Sequence, residues 1–103
     1  MAFLVLGFLM YTVYIICSAH IDQYYNGMTE DFDLRLSQHN TGYFKGASTK
    51  RANDWSPFYL IPTHNKSVAL KIETHIKSMK SRTYIENLRR YPEITKKLLM
   101  KYK

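Results

Sequence analysis

Aromatic and β-branched side chains fill YTVYIICS (11–18), a pattern that predicts a strand. His20-Ile21-Asp22 reads as a short turn, and QYYNGM (23–28) as a second strand that completes a hairpin. Thr29 is placed to cap a helix, with Glu30, Asp31 and Asp33 in a first turn where the helix dipole favours negative charge. Phe32 and Leu36 share one stripe of that helix, which should stop near Asn40 with Gly42 as its C-terminal cap. Residues 43–56 are polar and read as a loop. SPFYLIPT (56–63) predicts a third strand that Pro62 helps to end. Ser67 then caps a helix in which Ala69, Ile72, Ile76 and Met79 recur at helical spacing. A shorter helix over about 83–91 buries Tyr84, Ile85 and Leu88, and Pro92 opens a last one carrying Ile94 and Leu98 among lysines. The order β-β-α-β-α-α-α is that of a small α+β domain.

The first ten residues, MAFLVLGFLM, are apolar and run directly into the first strand. A helix of ten residues rises about 15 Å, half the ~30 Å hydrocarbon core of a bilayer. With residues 11–18 in a sheet, the expectation is that the chain does not span a membrane. A secretory leader is also not expected, because the run has neither a positively charged start nor a small-residue cleavage site. Residues 1–10 are therefore read as an extension, with Met10 an alternative start, 11–91 as the folded domain, and 92–103 as a basic C-terminal helix.

Charge changes the picture. The chain has 103 residues and a net charge of +7. Residues 1–65 carry four Lys/Arg and five Asp/Glu, whereas 66–103 carry eleven and three, so the whole excess lies in the C-terminal third. Such asymmetry points to a polyanionic partner, nucleic acid or an anionic membrane, or else to a solvated helical surface. The single cysteine, Cys17, excludes an internal disulfide and reads as a buried strand residue. His20, His64 and His75 lack metal-ligand spacing and read as surface residues.

TVY (12–14), YNG (25–27), Arg35, His39 and Glu73 then occur in order on the elements above. Together with YYNGMTEDFDLRLSQHNTG and VALKIETHIKSMKSRTYIENL, the series resembles the GIY-YIG nuclease superfamily, especially its small stand-alone bacterial members, over roughly residues 11–90. The resemblance implies a three-stranded antiparallel sheet flanked by helices, with a metal-dependent phosphodiesterase site across it. By motif position, Tyr14 and Tyr25 match the two motif tyrosines, Arg35 the helix arginine, His39 the helix histidine and Glu73 the metal-binding glutamate. Thr12, Val13 and Asn26 depart from the letters of the motif's name, and Asn87 aligns only loosely with an asparagine found in larger members.

Elementary chemistry supports these roles independently. Phosphodiester hydrolysis needs an activated water, a counter-charge for the phosphate oxygens and a stabilised leaving oxygen. Arg35 offers a permanently charged planar fork. His39, four residues on, shares its helix face. Glu73, beside an apolar stripe, offers the hard oxygen ligand that Mg²⁺ or Mn²⁺ prefers. A free phenol is a poor base at a pKa of about 10, but a neighbouring cation or imidazole favours the phenolate; the choice between Tyr14 and Tyr25 stays open. Singly, each residue has an ordinary role: strand aromatics, a solvated arginine, a helix-end histidine, and a Glu73–Lys77 surface pair. Their joint order outweighs those readings.

The expectation is a cytoplasmic DNA endonuclease with no small-molecule cofactor, its DNA contacts drawn from Lys45, Lys50, Arg51, Lys80, Arg82, Arg89 and Arg90. The alternatives are a catalytically silent nucleic-acid-binding module of the same fold, and a protein tethered to a membrane through residues 1–10.

Overall fold

The structure is a computed structural model and describes residues 10–43 and 48–103. Strands β1 (Tyr11–Ser18) and β2 (Gln23–Thr29) form the expected hairpin, and β3 (Ser56–Thr63) pairs with the other side of β1, giving the order β2-β1-β3. Both pairings are antiparallel. Because β3 is an edge strand, Pro57 and Pro62 lie within it without breaking a central ladder. The register slips between Ile15, opposite Tyr59, and Ile16, opposite Pro57, which marks a bulge at Phe58.

Side chains of β1 alternate between two cores. Val13 and Ile15 face helices α2 (Lys66–Met79), α3 (Arg82–Arg90) and α4 (Pro92–Lys101), packing with Ile61, Val68, Ala69, Ile72, Ile76, Leu88 and Leu98. Tyr14 and Ile16 face the other way, against Phe32 and Leu36 of helix α1 (Phe32–Asn40) and against Ala52 and Trp55. The fold is thus the expected α+β sheet with helices on both faces. Among the described residues, no helix is long and apolar enough to cross a membrane.

Helix starts differ from the sequence expectation. Thr29 is the last residue of β2, where it pairs with Thr12; its hydroxyl accepts from the Asp31 amide at 3.0 Å. Asp31 caps α1 instead, its Oδ1 accepting from Leu34 N at 3.1 Å. Asn65 likewise displaces Ser67 as the cap of α2, accepting from Val68 N. At the other end of α1 the expectation is met: Gly42 adopts φ 73°, Gly42 N donates to His39 O and Tyr43 N to Gln38 O. Met79 is exposed and not part of the α2 stripe. Within the expected loop, Ser48–Arg51 form one 3₁₀ turn. The extension at residues 1–9 and the candidate DNA contact Lys45 lie outside the described residues.

Candidate active site

Tyr14 is 1% exposed, and β1 aims its ring toward α1 across the backbone of Gly27, its partner on β2. A Cβ at position 27 would lie 2.5 Å from the Tyr14 Cζ, so only glycine leaves the ring its place. Tyr25, opposite Ile16, emerges on the same face. His39 comes from the last turn of α1, where it is 2% exposed. The Tyr14 and Tyr25 ring centres lie 6.4 Å apart, and the His39 ring is 5.8 Å from the first and 5.0 Å from the second.

Hydrogen bonds tie this cluster to the 3₁₀ turn. The Tyr14 hydroxyl is 2.8 Å from His39 Nε2, and His39 Nδ1 is 2.8 Å from the hydroxyl of the buried Thr49. Trp55 Nε1 donates to the Thr49 carbonyl at 2.8 Å. Asn40, next to His39, accepts from Trp55 N and donates to Trp55 O, clamping the far end of the loop to α1. Thr49 belongs to a stretch that reads as an undistinguished polar loop, and no local pattern marks it.

Arg35 lies one turn before His39. Its Nη1 donates to the Met28 carbonyl at 3.5 Å, and its positive charge acts on the Tyr14 phenol. Burial dominates the protonation of both partners. It pushes the Tyr14 phenol up to about 12, with Arg35 pulling the other way and the charges of Tyr25 and Glu73 adding to the rise. Burial, helped by the Arg35 charge, lowers His39 to about 4. At neutral pH the resting site therefore sets a neutral phenol against a neutral imidazole.

Glu73 lies on α2, near enough for its charge to act on Tyr14. The Glu73 carboxylate, 18% exposed, accepts from Lys77 Nζ at 2.9 Å, the expected i,i+4 pair. Asn26 Nδ2 donates to the Glu73 backbone carbonyl at 3.0 Å, anchoring this part of α2 to β2, while Asn26 Oδ1 is buried without a partner. No cluster of three or more His, Cys, Asp or Glu side chains poised for a metal occurs among the described residues. A single carboxylate fits an ion that keeps most of its waters, as Mg²⁺ does. It does not fit a caged transition-metal centre.

The candidate DNA contacts divide between the faces of the sheet. Lys50 and Arg51 line a groove with His20, Asn40 and Gly42 on the α1 side, and Arg51 also donates to Gln23 at the start of β2. Lys80 and Arg82 flank the same end of β2 with Gln23 and Tyr24; Arg82 pairs with Asp22 and Glu86 and stacks over Tyr24. Arg89 stacks over Phe58, and Arg90 lines the same groove with Tyr24 and Phe58, rings that pack against the α2–α4 core. Arg89 and Arg90 are thus across the sheet from Tyr14 and His39. His75 is not a surface residue: it is half-buried, with Nδ1 2.9 Å from the Tyr102 hydroxyl. Cys17 is half-buried, its sulfur 3.6 Å from the Ser56 hydroxyl.

The sheet presents two tyrosines to a helix arginine and histidine, and the family comparison identifies the domain. Residues 10–87 match the model of the GIY-YIG catalytic domain, and the chain belongs to that family, which is one of nucleases. No curated protein matches the chain, and no solved structure does.

Proposed function

We propose that the protein is a cytoplasmic endonuclease that hydrolyses DNA phosphodiester bonds with Mg²⁺ or Mn²⁺, acting on branched or damaged DNA in repair. The observation that carries this reading is the pairing of one buried phenol with one imidazole: Tyr14 Oη lies 2.8 Å from His39 Nε2, with the Arg35 charge acting on both. Arg35 is the phosphate anchor, its fork matched to two phosphate oxygens. A bound phosphodiester offsets the guanidinium charge that helps hold His39 neutral, so substrate itself raises the basicity of the imidazole. Tyr14 then passes its proton to His39 and removes one from the attacking water, while the bond from phosphorus to the leaving oxygen breaks. Tyr25, at 5.0 Å from the His39 ring, walls the other side of the site. Glu73 would hold the divalent ion, which when bound supplies Lewis-acid stabilisation to the phosphate and leaving oxygens.

The test is nicking of supercoiled plasmid and branched duplexes with and without Mg²⁺ by the parent and by Glu73→Ala. Metal-dependent nicking by the parent alone is expected, with DNA binding retained in the variant. Nicking by Glu73→Ala at the parent rate removes Glu73 from the metal site. The Lys77 ammonium on Glu73 favours a second reading, a nucleic-acid-binding module without turnover. Tight DNA binding by the parent with no nicking in either Mg²⁺ or Mn²⁺ selects that one.

A further inference from the structure

The endonuclease reading leaves out Thr49, the third member of the buried chain Tyr14–His39–Thr49. Its hydroxyl, on a side chain 1% exposed, is 2.8 Å from His39 Nδ1. A hydroxyl donates or accepts, so this bond alone does not say which imidazole nitrogen carries the proton. The opposite end of the chain does. Tyr14 Oη is 2.8 Å from His39 Nε2, within reach of the Arg35 charge. A phenol keeps its proton at neutral pH, and Tyr14, 1% exposed, needs a partner inside the protein for that O–H. The phenolic O–H therefore has Nε2 as its acceptor, and Nε2 must be bare. The ring proton then sits on Nδ1, where the Thr49 oxygen accepts it. In the other tautomer Tyr14 Oη would accept from Nε2–H, and the phenolic O–H would be left without that acceptor in a site with almost no exposure.

We propose that Thr49 is a positioning residue that holds His39 in the Nδ1–H tautomer, leaving Nε2 free to receive the Tyr14 proton. The role deepens the endonuclease reading and rests on it, but the tautomer itself is a property of the resting protein. When Nε2 takes the proton, the imidazolium keeps its Nδ1–H on Thr49, so the ring need not turn during the step. The backbone of Thr49 contributes too: its carbonyl is fixed by Trp55 Nε1, which sets the hydroxyl against α1.

The test uses the full chain and two substitutions. Thr49→Val keeps the shape and removes the acceptor; Thr49→Ser keeps the hydroxyl. Ring ¹⁵N shifts of His39, assigned by their loss in His39→Gln, are read on metal-free, DNA-free protein. The parent and Thr49→Ser are expected to show a protonated Nδ1 and a bare Nε2, and Thr49→Val a shift toward Nε2–H. Plasmid nicking should fall in kcat by roughly 10- to 100-fold in Thr49→Val, the scale of a lost buried hydrogen-bond partner. KM should be unchanged and Thr49→Ser should restore turnover. A parent with Nε2 protonated overturns the proposal, as does a Thr49→Val protein with the parental ¹⁵N pattern and turnover. If Thr49→Val does not fold, the parental tautomer and the turnover of Thr49→Ser decide. A parent that shows the Nδ1–H pattern yet nicks no DNA supports the tautomer assignment and refutes the endonuclease reading instead.

Discussion

Acidification is the perturbation that the buried imidazole makes quantitative. Unfolded, His39 titrates near its ordinary pKa of about 6.5, whereas burial and Arg35 hold it down to about 4 in the folded protein. Between those values the unfolded chain binds one more proton than the folded one. Stability therefore falls as pH drops through this window and returns as pH rises. Integrated from pH 7.5 to 4.5, the loss from this one group is about 2.5 kcal/mol, with a slope near pH 5 that approaches about 1.4 kcal/mol per pH unit. That is a large share of the ~5–15 kcal/mol that holds a domain together. The single tryptophan, Trp55, supplies the probe: it is 4% exposed and bonded to the Thr49 carbonyl beside His39. Urea unfolding followed by its fluorescence at several pH values, on the parent and on His39→Gln, isolates the histidine because glutamine does not titrate. The parent should lose about 2.5 kcal/mol more than the variant over this range. Parallel losses in the two proteins would show that His39 is not kept neutral by its surroundings, and the neutral-pair description of the resting site would fall with it.

Gly27→Ala places a Cβ against the Tyr14 ring and hydroxyl, so it should cut nicking by at least about tenfold through a displaced phenol, a loss that rate measurements at saturating DNA would detect. Asn26→Leu removes the partnerless buried Oδ1 and fills similar space; urea unfolding should show a gain of roughly 1 kcal/mol, and a loss would mean that the bond to the Glu73 carbonyl outweighs the orphaned oxygen. Lys77→Gln frees the Glu73 carboxylate from its ammonium partner and should lower the Mg²⁺ concentration for half-maximal nicking; an unchanged metal titration would separate that pair from the metal site. Charge reversal at Lys50, in the groove on the α1 side, should flatten the salt dependence of duplex binding more than reversal at Arg90, across the sheet from Tyr14; equal effects would place both faces in the DNA contact.

The three strands, the C-terminal end of α1 and the start of α4 were legible along the chain because they are written locally. Alternating aromatic and β-branched residues mark β1, Gly42 ends α1 through a left-handed turn, and Pro92 opens α4. The spacing of Arg35 and His39 likewise predicts a shared helix face, and the tyrosine–glycine pairing of Tyr14 with Gly27 follows once the hairpin register is known. What tertiary structure alone decided depends on the course of the loop after Gly42 and on which face of the sheet each helix covers. Thr49 carries no local mark, yet the 3₁₀ turn, clamped by Trp55 and Asn40, brings its hydroxyl to His39 from ten residues away. The caps passed from Thr29 to Asp31 and from Ser67 to Asn65 because each choice turned on where the preceding strand released the chain. Charge counts placed Arg82, Arg89 and Arg90 in one basic third, but strand alternation put Tyr24, and the bulge put Phe58, on the face away from Tyr14, and Arg82 and Arg89, stacked on those rings, went with them. Periodicity along a chain specifies which side chains share a face; which faces meet is set by packing between segments far apart in sequence.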